Sequence, residues 1–289
     1  MDFHTPVLVD EVIKILKVEP GLIYVDATVG NGGHTIEILK RGGIVYGIDR
    51  DPTNLEFATN RIVSLGLSFG FHPIHANFNQ LESLIHHQIP SDISGVIFDL
   101  GLSSGQLKTS GRGFSYNDPE SLDMRLDPQS QDLTAEEIIN TYSYEQLYDF
   151  FTKLAQEKYS KPLIIRIISE RQQQPIKSGQ RLGNIIRQFY TQKHLRFSID
   201  PATKIFMALR IMVNNEFDNL KTALNATLKL RSGCIIAVIC FHSGEDRIVK
   251  QFIRRYFPNN STKAILPSPN EISQNPLSRS SVLRSYKIV

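Results

Sequence analysis

Three segments of this chain have the length and apolar character of buried strands, and each one ends in an aspartate. They are Ile23–Asp26, Val45–Asp49 and Gly95–Asp99. The first is followed by a glycine-rich turn, Gly30–Gly33, and then by a short helical segment. Ligands of doubly wound α/β sheets bind beyond the carboxyl ends of the strands. The pattern therefore predicts such a sheet, with a nucleotide site at that edge.

The spacing of the glycines and the acids indicates the class of ligand. Glycine tolerates positive φ in a tight turn, and without a Cβ it lets a ligand approach backbone N–H groups. Asp49 follows Gly32 by 17 positions, close to the spacing at which an acid accepts hydrogen bonds from ribose hydroxyls. Asp26, four positions before Gly30, would repel a pyrophosphate but suits a ligand with a positive end. We therefore predict S-adenosylmethionine, which carries an amine and a sulfonium, as the cofactor.

Charge is divided unevenly along the 289 residues. Residues 1–152 carry 9 basic and 21 acidic side chains, whereas residues 153–289 carry 23 basic and 8 acidic ones. Positive charge concentrated in this way favours a polyanionic partner. We therefore interpret the second half as binding nucleic acid rather than as a set of ordinary solvated helix faces.

The compartment is predicted from what the sequence contains and lacks. No apolar run approaches the roughly 20 residues that cross a bilayer, and no signal-peptide pattern opens the sequence. Cys234 and Cys240 lie an even number of positions apart in one apolar run, so we expect both on one strand face, buried and reduced. These features predict a cytoplasmic protein without membrane association. A bacterial cytoplasm and an organelle of bacterial descent both remain open.

The order of apolar patterns predicts the domain organisation. Strands and helices alternate from about residue 20 to 101, and the alternation returns with the apolar run Gly233–Phe241. Between them, residues 103–128 are polar and irregular, a length of loop that is usually functional. Helical periodicity follows. We predict an α/β domain of residues 1–124 and 201–289 that is interrupted by an all-helical domain of residues 125–200.

Motifs spread over the whole chain resemble one protein family. In chain order they are His4–Leu8, Gly30–His34, Ile48–Asp51, Asp99–Ser104, Gln106, Arg112–Ser115, Leu122–Arg125, Pro201–Thr203, Ala208–Ile211, Phe241–Ser243, Glu245–Arg247 and Asn275–Ser280. Together they resemble the bacterial S-adenosylmethionine-dependent rRNA (cytosine-N4)-methyltransferases, the RsmH or MraW family. The resemblance implies a Rossmann-like class I methyltransferase sheet with an inserted helical domain. It also implies methylation of a cytosine in the decoding region of 16S rRNA within the assembled small subunit.

The resemblance implies a set of cofactor contacts as well. Transferred residue by residue, they fall on Gly32, Gly33, His34, Asp49, Phe78, Asp99 and Gln106. The chemistry of these residues agrees, since the Gly32–His34 segment offers backbone N–H groups to the methionine end and Asp49 offers a carboxylate to the ribose. Phe78 offers an apolar face to adenine, although alone it would be interpreted as a core aromatic.

The segment after the third aspartate is the predicted reaction centre. Cytosine N4 is a weak nucleophile because its lone pair is delocalised into the ring, and acceptors for its hydrogens favour a more nucleophilic nitrogen. We hypothesise that Asp99, helped by Ser103 or Ser104, accepts from N4 and receives the released proton. The target base must leave its stack to reach the site. The predicted contacts to this base are Arg112, Phe114, Asp123 and Arg125, with Tyr116 beside them. The predicted phosphate contacts are Lys177, Arg181, Arg187, Lys193, Arg196, Arg279 and Arg284.

The chain departs from the family pattern at three positions. Asp200 stands where members commonly have His, Ser121 where Pro is usual, and Gly244 where Leu is usual. None of the three is a predicted cofactor contact. His34 and His242 lack the spacing of a metal site, so we expect no metal.

Other functions stay open at this point. A non-catalytic RNA-binding factor of ribosome assembly would keep the fold, and a nicotinamide-dependent oxidoreductase would share Asp49 and the glycines. The oxidoreductase would have no use for Asp26 or for Asp99–Ser104. A methyltransferase acting on a protein or a small molecule fits the basic second half less well. The oligomeric state, monomer or homodimer, is also open.

Overall fold

The computed structural model describes residues 6–108 and 110–289, which divide into two units. The first unit comprises Met1–Ser103 and Phe217–Val289 and is built on a six-stranded sheet. Its strands are β1 (Ile23–Asp26), β2 (Ile44–Asp49), β3 (Phe71–His75), β4 (Ile93–Asp99), β5 (Ile235–Cys240) and β6 (Val282–Lys287). The helices of the chain are α1 (Val9–Leu16), α2 (Gly33–Lys40), α3 (Pro52–Ser64), α4 (Leu81–His87), α5 (Ser104–Lys108), α6 (Ala135–Thr141), α7 (Tyr144–Lys153), α8 (Ser160–Gln173), α9 (Gly179–Gln192), α10 (Ala202–Asn214), α11 (Glu216–Thr227), α12 (Ser243–Tyr256) and α13 (Pro269–Gln274).

The strand order is β3-β2-β1-β4-β5-β6. Strands β1 to β5 are parallel, and β6 pairs antiparallel with β5. The order reverses between β1 and β4, which is the topological switch point at which doubly wound sheets bind ligands. The predicted Rossmann-like sheet is confirmed, and its switch point lies between two of the three predicted acidic strand ends.

Helices cover both faces of the sheet. Apolar residues of α1, α2 and α3 pack on one face, and those of α4, α11 and α12 pack on the other. Strand side chains alternate between the two cores, so that Tyr24 lies in the first and Val25 in the second. Cys234 and Cys240 are buried in the second core, as their spacing predicted, and burial raises the pKa of the Cys234 thiol to about 12.

Helix α3 illustrates how local sequence sets the element bounds. Asp51 caps it by accepting a hydrogen bond from the Thr53 N–H at 3.1 Å, and Pro52 occupies the first helical position. Leu65, which would extend the apolar face that Leu55, Ala58 and Ile62 form on α3, is 50% exposed. The helix ends at Ser64, so Leu65 no longer follows the helical periodicity.

The second unit comprises Ser104–Glu216, and every regular element in its described residues is a helix. Its apolar core is formed mainly by α7, α8 and α9, through Leu147, Phe150, Phe151, Leu163, Ile164, Ile167, Leu182, Ile185, Ile186 and Phe189. Ser143 and Gln146 form a capping box at the start of α7. Among the residues that the structure describes, none of the helices combines the length and apolar character needed to span a bilayer.

This unit is wider than the helical domain predicted for residues 125–200. Asn214, at the end of α10 and 1% exposed, ties this helix to the polar segment through its side-chain amide. Its Oδ1 accepts from the Leu126 N–H at 3.0 Å, and its Nδ2 donates to the Met124 carbonyl at 2.8 Å. The polar segment belongs to the helical unit, although its composition resembles that of an open loop. The first turn of α9 holds it, because the Gly179 N–H donates to the Ser121 carbonyl at 2.8 Å and the Gln180 N–H donates to the Asp118 carbonyl at 2.7 Å.

Replacing Asn214 by alanine should destabilise this unit. The change leaves the Leu126 N–H and the Met124 carbonyl without partners in a buried place, which predicts a fall of about 3 kcal/mol in the free energy of unfolding. Chemical denaturation of the full chain, followed by circular dichroism, measures it. Gln172→Ala, at an exposed position of α8, is the control and should change little. Equal stability of the two variants would contradict the assignment.

Candidate functional site

The carboxyl ends of β1, β2 and β4 carry the three predicted aspartates, all in the first unit. Asp49 at the end of β2 accepts hydrogen bonds from the Gly30 N–H at 2.7 Å and from the Asp51 N–H at 2.8 Å. The glycine turn is thereby tied to the tip of β2. Burial raises the pKa of Asp49 to about 7, against the lowering effect of these two amides.

The glycine turn has two requirements that only glycine meets well. Gly30 and Gly32 have φ of 53° and 78°, in the left-handed region. A Cβ on Gly33 would lie 2.8 Å from the Pro6 side chain, so this glycine is required by packing inside the protein. Around Gly30 a Cβ would meet only the Thr28 carbonyl, at 3.9 Å. The open surface of the turn is therefore at Gly30, which was not among the predicted cofactor contacts.

Strands β1 and β4 are joined at their tips by side chains. Asp26 is 1% exposed and accepts from the Thr35 hydroxyl at 2.6 Å and from the Thr28 N–H at 3.1 Å. The Thr28 hydroxyl in turn accepts from the Asp99 N–H at 2.6 Å. Asp26 thus supports the turn from inside, and burial raises the pKa of its carboxyl. This role of Thr28 was not predicted from the sequence. The available signal was its position two residues after Asp26, the acid that ends β1.

His34 and Asp99 meet where β4 ends and α2 begins. The His34 side chain is 5% exposed, and its Nε2 lies 3.5 Å from Asp99 Oδ2. Both ring nitrogens of His34 and the Oδ1 atom of Asp99 are buried without a hydrogen-bond partner in the described structure. Buried polar atoms are nearly always paired, so such a group of atoms points to a bound ligand.

Of the two predicted catalytic serines, the structure describes the side chain of Ser103 alone. The Ser103 hydroxyl donates to Asn54 Oδ1 at 3.0 Å. Asn54 lies in the first turn of α3 and is 8% exposed. It was missed from the sequence, although a buried asparagine inside a helix is unusual enough to be a signal. The side chain of Ser104 lies outside the part of the chain that the structure describes.

Phe78 follows β3 by three residues and begins a short 3-10 helix, Phe78–Gln80. Its half-buried ring packs edge-on against the buried Phe98 of β4, with ring centroids 6.1 Å apart. Two residues earlier, the Ala76 N–H donates to the Asp49 carbonyl at 3.1 Å. Phe78 therefore belongs to the same strand-end region as Asp49.

The remaining predicted contacts lie in the second unit, where most of them stabilise the polar segment. Arg112 donates to the Arg125 and Leu126 carbonyls at 3.2 and 2.9 Å, and Phe114 is only 6% exposed. Arg125 forms a bidentate ion pair with Asp123 at 2.7 and 2.8 Å. Although burial opposes it, this pairing holds the pKa of Asp123 below its usual range. The predicted cofactor contact Gln106 is buried in α5.

The predicted phosphate contacts fall into two groups. Lys177, Lys193, Arg196 and Arg279 are exposed. Arg187 instead pairs with Asp200 at 2.7 Å and lies over the Tyr116 ring, with its guanidinium carbon 4.8 Å from the centroid. Arg181 donates to the Pro175 carbonyl at 3.0 Å. Arg284 of the first unit pairs with Asp246 at 2.6 Å. Arginines that are already paired have less charge to offer a phosphate, so the exposed group is the stronger candidate for this role.

The three departures from the family pattern have structural reasons. Asp200 is the partner of Arg187. The Ser121 hydroxyl accepts from the Asp123 N–H at 3.1 Å. A Cβ on Gly244 would lie 2.5 Å from the Phe217 ring, so a leucine does not fit there without movement.

His242, which was considered for a metal, caps helix α12. Its Nδ1 accepts from the Gly244 and Glu245 N–H groups, and the Glu245 carboxylate in turn accepts from the His242 N–H at 3.4 Å and also from the Phe241 N–H at 2.8 Å. This reciprocal arrangement is a capping box with histidine as the capping residue.

The strand-end region fits an adenosyl ligand with a positive end. It offers a half-buried carboxylate at Asp49, a half-buried aromatic ring at Phe78 and an open glycine turn at Gly30. The unpartnered atoms of His34 and Asp99 lie beside the end of β4. An acceptor for hydroxyls, an apolar ring and anionic acceptors are the groups that such a nucleoside requires.

Comparisons with known proteins agree with this chemistry. A family model described as the MraW methylase family matches residues 1–289. The chain is similar to proteins named ribosomal RNA small subunit methyltransferase H. The relative from Halothermothrix orenii is 37% identical over 97% of both chains, and the relative from Ureaplasma urealyticum is 39% identical over 97% of this chain and 96% of its own. The relative from Oceanobacillus iheyensis is 40% identical over 94% and 84%. A solved rRNA methylase from Streptococcus thermophilus covers 97% of this chain and 94% of its own at 14% identity, with a TM-score of 0.43.

Proposed function

This chain belongs to the MraW methylase family, and from this we propose that it transfers a methyl group from S-adenosylmethionine to the exocyclic N4 of a cytosine in the decoding region of 16S rRNA. The relatives carry the name of a small-subunit rRNA methyltransferase over nearly their whole length. The observation that carries the proposal is the strand-end region, where unpartnered acceptors adjoin a glycine turn at the switch point of the sheet.

Several residues would hold the cofactor, which supplies an activated methyl group on a sulfonium when it is bound. The Asp49 carboxylate would accept the ribose hydroxyls, since each of its two oxygens is already oriented by one backbone amide. The Phe78 ring would pack against adenine. The Gly33 and His34 N–H groups at the start of α2 would bind the methionine end. The Gly30 and Gly32 N–H groups are already donated, to Asp49 Oδ2 and to the Val29 carbonyl. Gln106 is retained in the proposed set because of its motif.

Asp99 is the proposed proton acceptor. Its backbone is held by Thr28, its Oδ2 faces His34, and its Oδ1 is left without a partner in the described structure. An acceptor in this position would bind one N4 hydrogen, favour a nucleophilic nitrogen and take the proton that N4 loses when it is methylated. Ser103 would act indirectly, because its hydroxyl already donates to Asn54.

The helical unit is the proposed RNA-binding part of the protein. Its exposed basic side chains Lys177, Lys193 and Arg196 would bind phosphates, which provides salt-dependent affinity with little sequence information. Asp123, Arg125 and Arg112 would keep the polar segment in shape around the base. We propose the rRNA of the assembled small subunit as the partner and the cytoplasm as the location.

Methyl transfer to small ribosomal subunits tests the proposed function. Subunits from a strain that lacks this methylation would be incubated with the protein and S-adenosylmethionine, and modified cytosines would be mapped by mass spectrometry. We expect one N4-methylated cytosine in the decoding region. S-adenosylhomocysteine should protect the protein from thermal unfolding, and NAD should not. Binding of subunits without methylation would favour an assembly factor, and protection by NAD would favour an oxidoreductase.

Titration of Asp49 should make cofactor affinity depend on pH. Burial raises its pKa to about 7, so the free protein loses the ionised acceptor below that pH. Ribose hydroxyls donate to the ionised form, so affinity for S-adenosylhomocysteine should rise with pH through 7 and fall about tenfold per unit below it. Calorimetry between about pH 5.5 and pH 8.5 measures this. Asp49→Asn should flatten the profile, and a flat profile in the unaltered protein would contradict the assignment.

A further inference from the structure

The imidazole of His34 has no explained role in the site described so far. The predicted contribution of this residue to cofactor binding is its backbone N–H, which leaves the side chain unused. The ring is nevertheless buried in the first turn of α2, with both of its nitrogens unpartnered in the described structure. A histidine that only filled space would be expected to have at least one nitrogen paired.

The ring lies among carboxylates. Its Nε2 is 3.5 Å from Asp99 Oδ2, about 0.6 Å beyond an ordinary charge-assisted hydrogen bond. His34 also lies near enough to Asp26 to act on the pKa of that carboxyl, in opposition to the larger effect of burial. The acidic groups of Asp26 and Asp99 beside the ring favour an N–H donor, rather than a lone pair, at His34 Nε2, the nitrogen that faces Asp99.

The Asp99 carboxylate needs such a neighbour to keep one orientation. Thr28 holds the backbone of Asp99, but this contact does not restrict rotation of the carboxylate. Oδ1 has no partner in the described residues, so the nearest group that can restrain the carboxylate is His34, on the Oδ2 side. Catalysis by an oriented acceptor falls steeply when the acceptor rotates or shifts.

We propose that His34 is a positioning residue for Asp99. Its Nε2–H donates to Asp99 Oδ2, and this holds the Asp99 carboxylate in one orientation for the amine that is methylated. The inference rests on the proposed function, because it deepens the role of Asp99 in that reaction. His34 itself touches no reacting atom, and no proton has to pass through it.

Two substitutions of similar polarity test the proposal. His34→Gln places an amide N–H at about the reach of Nε2, whereas His34→Asn places one about where Nδ1 lies, too short to reach Asp99. We expect His34→Asn to lower kcat about 100-fold and His34→Gln to keep kcat within about fivefold of the unaltered protein. In both variants the KM for S-adenosylmethionine and the Kd for S-adenosylhomocysteine should change by less than about threefold. His87→Gln, at an exposed position of α4, is the control.

A second measurement is independent of activity and needs no variant of His34. Nitrogen-15 NMR of the histidine rings in the unaltered protein should find His34 protonated at Nε2, and Asp99→Asn should shift that resonance. An Nδ1–H tautomer, or no response to Asp99→Asn, would overturn the proposal.

The kinetic outcomes also separate the two proposals. Equal kcat for the Gln and Asn variants would overturn the positioning role, and so would a loss that appears in cofactor affinity. If the unaltered protein neither binds S-adenosylhomocysteine nor methylates subunits, the proposed function fails, and the NMR result still decides whether His34 and Asp99 are paired.

Discussion

Replacing Asp99 by alanine is expected to abolish methyl transfer while small subunits are still bound. The carboxylate is the proposed acceptor for the N4 hydrogen, and its Oδ1 atom is buried without a partner in the described structure. Removing a positioned proton acceptor costs roughly 10²- to 10⁴-fold in rate. A loss of about 10³-fold in kcat corresponds to about 4 kcal/mol of transition-state stabilisation. Single-turnover methylation of subunits measures it.

The controls separate chemistry from structure. Asp92→Ala changes an exposed aspartate just before the opposite end of β4 and should leave kcat unchanged. Asp99→Asn keeps the shape and one acceptor oxygen but is a far weaker base, so its kcat should stay well below that of the unaltered protein. Near-normal turnover of either Asp99 variant would reject the assignment. A loss of cofactor binding that matched the loss of turnover would instead make Asp99 a binding residue.

Replacing Asp49 by alanine is expected to weaken S-adenosylhomocysteine binding by at least about 100-fold. The carboxylate would accept two ribose hydroxyls, and a hydrogen bond to a charged group contributes about 1.5–3 kcal/mol. Asp49 also accepts from the Gly30 and Asp51 N–H groups, so its loss releases the glycine turn. Both effects weaken binding of S-adenosylhomocysteine. Calorimetry at a pH above 8, where Asp49 is ionised, measures the full difference.

A matched variant on the neighbouring helix tests whether this effect is local. Glu56→Ala removes an exposed carboxylate from α3 and should leave the affinity unchanged. Thermal unfolding of the unliganded Asp49→Ala protein shows whether the turn is still folded. An affinity within about threefold of the unaltered protein would remove Asp49 from the site.

The sheet and its acidic edge were predictable because the signals are local. An apolar run followed by Asp26, Asp49 or Asp99 is visible in a few consecutive letters, and parallel strands bring such ends to one edge. The same is true of the cap at Asp51, where an acid and a proline stand side by side. The bounds of the helical unit were harder to predict from the sequence, because the hydrogen bonds of Asn214 to Met124 and Leu126 join residues about 90 positions apart.

The features of the site also fall into those that the sequence predicts and those that depend on distant contacts. Residue types and spacing alone determined the doubly wound sheet, the glycine turn, the acidic strand tips and the concentration of positive charge in the second half. Only the tertiary structure decided that Asp26 is buried against Thr35, that Ser103 bonds to Asn54, and that His34 faces Asp99. The physical reason is that backbone conformation and burial follow from neighbouring residues, whereas the partner of a polar side chain depends on which distant segments the fold brings within about 3 Å of it.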